Sequence, residues 1–468
     1  MPETTLIQRL QETLGPDGCM FGADISERYM VDFGGENACY PQAVIRPRTI
    51  EELQFAVAAC SAADQPVVVQ GGMTGLCGGA TPHAGEISIS LERLSGIEEL
   101  DRQSMTMTVF AGTPLQMVQE AASGAGLFFP LDLGARGSCT IGGNIATNAG
   151  GNQVLRFGMM RNLVLGLEAV LADGTLVSSM NRLIKNNAGY DLKQLFIGSE
   201  GTLGIVTRAV LRLYPALPAR TAAIAAVADF AGCVALLHAL QSRLGGALSA
   251  FEAMWASYFD CVIENVDKLR SPFDADYPLY VLVQSEGSDH AGERERMETA
   301  LAELLESGVV LDAAIAQSER EVESFWQIRD GIAEITALLQ PLVAFDVSIP
   351  IRDMPAFLDA TATALEAEFP GVKNLVFGHI GDNNLHLTVT TGRHEDMRRI
   401  SEIVYAATSE VGGSIAAEHG IGMSRRGYLH LSRSDAELAL MRRLKDALDP
   451  KGILNPGRVI GSDPLGSG

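Results

Sequence analysis

The sequence predicts an α+β protein of at least two domains, and three observations carry that reading. Its 468 residues exceed the roughly 250–300 at which a single core stops growing. The first half holds three glycine-rich loops, each between stretches that read as strands, and such loops converge most easily on one elongated ligand. After Pro218 glycine becomes sparse and amphipathic helices alternate with strands, as in a small layered domain with helices on one face of a sheet.

Composition narrows the function classes. A formal charge of −22 disfavours nucleic acid and acidic membrane surfaces, so an anionic substrate needs local positive charge at its site. The seven cysteines are scattered and never spaced C-x-x-C, which reads as reduced thiols with no thiolate metal site. No run approaches the roughly 18 apolar residues of a membrane span, and Met1–Gly18 lacks the basic start and apolar centre of a signal peptide. The expectation is a cytoplasmic protein without a transmembrane segment.

In chain order, Thr49-Ile50-Glu51-Glu52 reads as a capping box opening a helix over Ile50–Ala62, which runs into a strand at Val67–Val69. The first loop follows, with Gly71, Gly72, Gly75, Gly78 and Gly79 around Thr74, and then the alternating strand Ile87–Leu91. Bare backbone here lets amides turn toward one point, which suits a phosphate or pyrophosphate; the bland reading is a tight surface turn. No helix opens behind the loop and no Gly-Lys-Ser/Thr occurs in it, which argues against a doubly wound dinucleotide fold and a Walker loop.

Met105–Phe110 reads as a strand and Pro114–Ser123 as a helix. The small-residue segment Pro130–Asn152 has almost nothing to put in a core and suits wrapping a large flat polar ligand. Val164–Val177 is a hairpin around Asp173-Gly174, Asp191–Ile197 a short helix, Gly198–Gly204 the third loop and Ile205–Tyr214 a strand. Beyond Pro218, strands are expected at Ala223–Ala228, Leu279–Gln284, Val309–Ala316 and Val343–Pro350, with helices at Ala231–Arg243, Arg294–Ser307 and Glu319–Leu339.

Chemistry concentrates in the last third. Phe377–Val389 carries His379 and His386 around a Gly-Asp-Asn-Asn turn that lets both rings reach one side, and Ala417–Met423 carries Glu418 and His419. Two histidines and a glutamate form a workable set for Zn or Mn with positions open for substrate; hydrogen-bonding loop histidines without a metal are the alternative. Arg329, inside a helix, is either a surface arginine or a carboxylate clamp. Leu448–Val459 is rich in turn residues and poor in charge, as though it docks against something.

Together these segments resemble one family, the FAD-linked oxidoreductases of the vanillyl-alcohol-oxidase superfamily, in particular the branch of D-lactate, D-2-hydroxyglutarate and glycolate dehydrogenases. The resemblance runs from about Tyr40 to Val459 and rests on GGMTGLCGGATP, IGGNIATNAGG, GSEGTLGIVT, GHIGDNNLH, AEHGIG and LNPGR in that order. It implies an α+β fold with a two-part FAD-binding domain at 1–217, an α+β cap domain over the isoalloxazine at 218–412, and a C-terminal segment at 413–468 that returns to the flavin. It puts the FAD pyrophosphate on Gly71, Gly72, Met73, Thr74, Gly75, Gly78 and Gly79. Pro130, Asp132, Ser138, Gly142, Asn144, Thr147, Gly150, Gly151, Glu200, Gly204 and Ile205 line the rest, with Asn455 near the ring. The first loop lacks the histidine to which relatives commonly attach the flavin, so non-covalent FAD is expected.

The resemblance further implies metal ligands at His379, His386 and Glu418, a proton acceptor at His419 and a substrate-carboxylate contact at Arg329. The implied reaction is oxidation of a D-2-hydroxy acid to the 2-keto acid by hydride transfer to flavin. An electron-transfer flavoprotein or quinone then reoxidises the flavin, and a homodimer is expected. In the hydroxyglutarate-type pattern a threonine, a lysine and an asparagine stand where this sequence has Ala333, Ala344 and Thr388, so D-lactate or D-2-hydroxybutyrate becomes as good a substrate as hydroxyglutarate or malate. The competing readings are an oxidase that passes electrons to oxygen and a flavin-bearing subunit of an electron-transfer complex.

Overall fold

A computed structural model describes residues 5–35 and 37–461; the first four residues of the Met1–Gly18 stretch and the last seven of the C-terminal segment lie outside it. The chain forms two compact units, one of residues 1–151, 158–215 and 418–468 and the other of residues 152–157 and 216–417.

The first unit is built on two main sheets. In the four-stranded one the order is Cys19–Met20, Ala43–Ile45, Ile87–Ser90, Val67–Gln70, and the last three run parallel. The helix Ile50–Ala62 starts where the sequence signals it, with the Thr49 hydroxyl accepting from the Glu52 amide. The Glu52 carboxylate reaches back to the amide of Arg48, one residue beyond the expected partner. The second sheet is antiparallel, in the order Ile97–Asp101, Thr106–Phe110, Ile205–Arg212, Val164–Val170, Leu176–Ser179. Its last pair is the hairpin expected around Asp173-Gly174, where Asp173 Oδ1 accepts from the Thr175 amide at 2.8 Å.

The segment read as having nothing for a core does contribute to one. Residues Ile141–Ala146 form a short helix capped by Thr140, and Ile141 and Ile145 are fully buried. Six residues among glycines give too little periodicity for that helix to be legible.

The second unit carries a seven-stranded sheet in the order Asp312–Ile315, Ala219–Val227, Leu279–Gly287, Leu248–Trp255, Lys373–His379, Asn384–Thr390, Val343–Ser348. Helices do not keep to one face of it. Every residue of Leu279–Gly287 is buried, so that strand is covered on both sides. One face holds an apolar cluster in which Ile224, Met254, Leu282 and Phe377 meet Tyr258, Phe259, Val322, Phe325 and Ile335 of the helices Ala256–Asn265, Glu319–Asp330 and Ile332–Leu338. The last two replace the single helix expected over Glu319–Leu339. The break is at Gly331, where a Cβ would lie 2.7 Å from Val262 Cγ1, so close approach of the neighbouring helix sets the residue.

Candidate active site

In the first unit the three glycine loops do come together. Gly72 packs so closely on the second loop that a Cβ would stand 2.0 Å from the Ser138 carbonyl oxygen, and Gly71 faces Thr140. The Asp32 carboxylate orders the far end of the first loop by accepting from the Ala80 amide at 3.1 Å and from the Thr81 hydroxyl at 3.1 Å. Burial pushes the Asp32 carboxyl up, against these donors. Within the second segment, Gly142, Asn144, Gly150 and Gly151 are buried, Pro130 is buried at its start, and Thr147 bonds back to Gly143 O at 3.0 Å. Asp132 pairs with Arg136 at 3.2 Å, while Ser138 is exposed.

The third loop ties the C-terminal residues to the others. Glu200 accepts from the amides of Ile421 and Gly422 at 2.7 and 2.8 Å, so its carboxylate organises the turn that follows His419. Desolvation pushes the Glu200 carboxyl up, opposed by those two amides. Gly204 and Ile205 are buried where the loop becomes a strand. Asn455 takes the amide of Val69 on its Oδ1 at 2.8 Å and gives its Nδ2 to the Glu200 carbonyl at 2.7 Å. Met73, Asn148, Glu200 and Asn455 all have positive φ, a conformation that non-glycine residues adopt only where the surroundings impose it. Glu418 and His419 also belong to this unit; Glu418 accepts from the Gly151 amide at 3.2 Å, and its other oxygen lies 3.5 Å from His419 Nε2.

In the second unit the two histidines sit on a hairpin. His379 ends the strand Lys373–His379, His386 lies in Asn384–Thr390, and pairing of Phe377 with His386 puts both rings on one face with centroids 5.3 Å apart. The neighbouring strands add two carboxylates to that face, because Glu252 stands opposite His379 and Asp346 opposite His386. Glu252 Oε1 is 2.7 Å from His379 Nδ1, and its Oε2 accepts from Arg329 Nε at 2.9 Å. Arg329 Nη2 lies 2.9 Å from His379 Nε2. Arg329 is therefore no surface residue; it is 7% exposed, Glu252 1% and His379 5%. Burial pushes the Glu252 carboxyl up, and His379 and Arg329 outweigh it, holding the group at about 2. Asp346 is 3.8 Å from His386 Nδ1 and accepts from Asn384 Nδ2 at 2.9 Å.

With this geometry in view, the chain matches the FAD binding domain family over residues 41–179 and the family of FAD linked oxidases, C-terminal domain, over residues 217–459. The chain belongs to the FAD-linked oxidases. It is 40% identical over 429 residues to the D-2-hydroxyglutarate dehydrogenase of Xanthomonas citri pv. viticola, an alignment covering 90% of this chain and 89% of the relative. It is 38% identical over 420 residues to the mitochondrial D-2-hydroxyglutarate dehydrogenase of Arabidopsis thaliana, covering 89% and 74% respectively. Among solved structures, p-cresol methylhydroxylase is similar with a TM-score of 0.76 at 16% identity, covering 97% of this chain and 96% of that one, which speaks to fold alone. The architecture expected from the motifs, α+β of the vanillyl-alcohol-oxidase type, is the one this FAD-linked oxidase has.

The residues fit the cofactor of such an enzyme. Among the described residues, no protein acceptor takes the amides of Gly71, Gly72, Met73, Thr74, Gly75, Gly78 or Gly79, and Gly78 is buried. Amides left unpaired in a glycine loop form an anion cradle, as a pyrophosphate requires. Four site residues escaped sequence reasoning: Asp32, Glu252, Asp346 and Gly422. Glu252 and Asp346 carry a signal, each a lone carboxylate in an apolar run, ALSAFEAMW and LVAFDVSIP, and a buried charge of that kind needs a partner.

Proposed function

We propose that this FAD-linked hydroxy-acid dehydrogenase oxidises a D-2-hydroxy acid to the 2-keto acid, with FAD bound non-covalently and a divalent ion, Zn or Mn, held by His379, His386 and Glu418. The observation that carries the reading is a buried guanidinium, Arg329, in contact with His379, one of two imidazoles on one face of one sheet, in a chain of net charge −22. Glu252 balances the charge of this guanidinium, and what Arg329 offers a small anionic substrate is its N–H donors. Nitrogen and oxygen donors of this kind suit either metal.

FAD, when bound, supplies the hydride acceptor. The divalent ion, when bound, would lower the pKa of the substrate hydroxyl. Arg329 binds the substrate carboxylate and fixes the 2-carbon in position. His419 takes the hydroxyl proton on a ring nitrogen as the C–H bond breaks. The names of the relatives support D-2-hydroxyglutarate as substrate. Ala344 and Thr388, opposite each other and one step along the sheet from Asp346 and His386, carry no charge and support a shorter acid such as D-lactate.

The test is an anaerobic visible spectrum of the purified protein titrated with D- and L-2-hydroxy acids, before and after chelation. Bleaching of the flavin band by one enantiomer, lost with chelator and restored by Zn or Mn, is expected, and the acid that bleaches at the lowest concentration identifies the substrate. A flavin band that no hydroxy acid bleaches in the presence of metal overturns the roles given to these side chains. For reoxidation we propose an electron-transfer flavoprotein or quinone-linked acceptor that meets the acidic surface through a basic patch. Acceptor turnover then falls steeply with ionic strength, and a flat profile overturns it.

A further inference from the structure

We infer that Glu252 is a positioning residue whose buried carboxylate fixes the tautomer of His379 and the orientation of Arg329 together; its catalytic consequence rests on the roles proposed above for those two residues. A guanidinium can only donate, so the 2.9 Å contact from Arg329 Nη2 requires His379 Nε2 to accept. The ring then carries its proton on Nδ1, which lies 2.7 Å from Glu252 Oε1, a pure acceptor. The other oxygen of the same carboxylate holds Arg329 Nε at 2.9 Å.

Three features make this arrangement rigid. Antiparallel pairing puts Glu252 directly opposite His379. The Arg329 guanidinium lies over the Phe377 ring, 5.2 Å from its centroid. The backbone carbonyl of Arg329 accepts from the Tyr258 hydroxyl at 2.5 Å. All three polar groups are buried, so each must find its hydrogen-bond partner inside this cluster. Carboxylates behind metal-binding histidines set which ring nitrogen is left to bind; an ion on Nε2 would take the lone pair that Arg329 Nη2 uses here, freeing Nη2 for a substrate carboxylate while Glu252 keeps Nε and Nδ1 in place.

The test uses full-length flavoprotein. In wild type, nitrogen NMR of the histidine rings, with His379 assigned by its loss in H379Q, is expected to show Nδ1 protonated and Nε2 bare. Glu252→Gln offers one acceptor where the carboxylate offers two. It is expected to disturb that tautomer, to weaken Zn²⁺ in chelator competition by about 10–100-fold, and to raise KM for the hydroxy acid. Glu252→Asp keeps both acceptors and is expected to recover part of each, while flavin content stays at the wild-type level. A wild-type His379 protonated on Nε2, or a Glu252→Gln protein with wild-type tautomer, Zn²⁺ affinity and KM, overturns the inference. Because the tautomer is read without metal or substrate, it decides the role of Glu252 even where wild type takes up neither Zn²⁺ nor Mn²⁺ and the metal proposal fails.

Discussion

Asn455 and Glu200, 255 residues apart in sequence, are joined by a 2.7 Å hydrogen bond from the Asn455 side chain to the Glu200 carbonyl. The same amide group holds Val69, the last strand residue but one before the first glycine loop. One buried side chain thus pins the C-terminal residues, the first loop and the third loop to each other. Asn455→Ala leaves a buried donor and a buried acceptor without partners, at about 1–3 kcal/mol each. A thermal melt followed by flavin fluorescence is expected to show a lowered midpoint and weakened FAD retention; an unchanged melt refutes the pinning role.

Gly72→Ala should cost the cofactor more than the fold. Its Cβ would fall 2.0 Å from the Ser138 carbonyl, so one loop must move off the other. The displaced backbone is that whose amides face no protein acceptor among the described residues. Purified variant is expected to show a reduced ratio of flavin to protein absorbance with circular dichroism close to wild type.

Arg458 and Glu86 form a pair buried to 1% and 3% exposure, with Nη2 to Oε2 at 2.8 Å. Arg458→Met leaves the carboxylate buried with the His83 amide and ring as its remaining partners, and about 3–5 kcal/mol of stability is expected to go. The double variant Arg458→Met with Glu86→Gln should regain part of that loss, because the stranded charge is gone. Urea denaturation of the two proteins measures the difference.

Acid sensitivity should trace in part to Glu168. Burial pushes its carboxyl up, but Arg208, bonded at 2.8 and 2.9 Å, and Thr207 outweigh that and lower it. A folded pKa below the unfolded one means stability that is fully present above the ordinary carboxylate value of about 4.3 and is lost as pH falls through the lowered one. Glu168→Gln should therefore be less stable than wild type at neutral pH, with a gap that narrows on acidification below about pH 4. Melting temperatures taken across that range decide it.

Part of this protein was legible in one dimension because the relevant physics is local. Glycine density announced the loops, β-branched runs the strands beside them, Thr49 the start of a helix, and the turn between His379 and His386 a pair of rings on one side. A glycine excess or a capping residue has the same meaning wherever the chain folds. What escaped depends on register and on distance. Glu252 acquires its role only because Leu248–Trp255 pairs antiparallel with Lys373–His379, 127 residues away in sequence, in the one alignment that sets carboxylate against imidazole. Arg329 read equally well as a surface residue until the helix that bears it packed against that sheet, and no spacing in the sequence encodes that packing. Local propensity gave the parts. Pairing of distant strands, which a shift of one residue would turn to the other face, decided which charges are buried together.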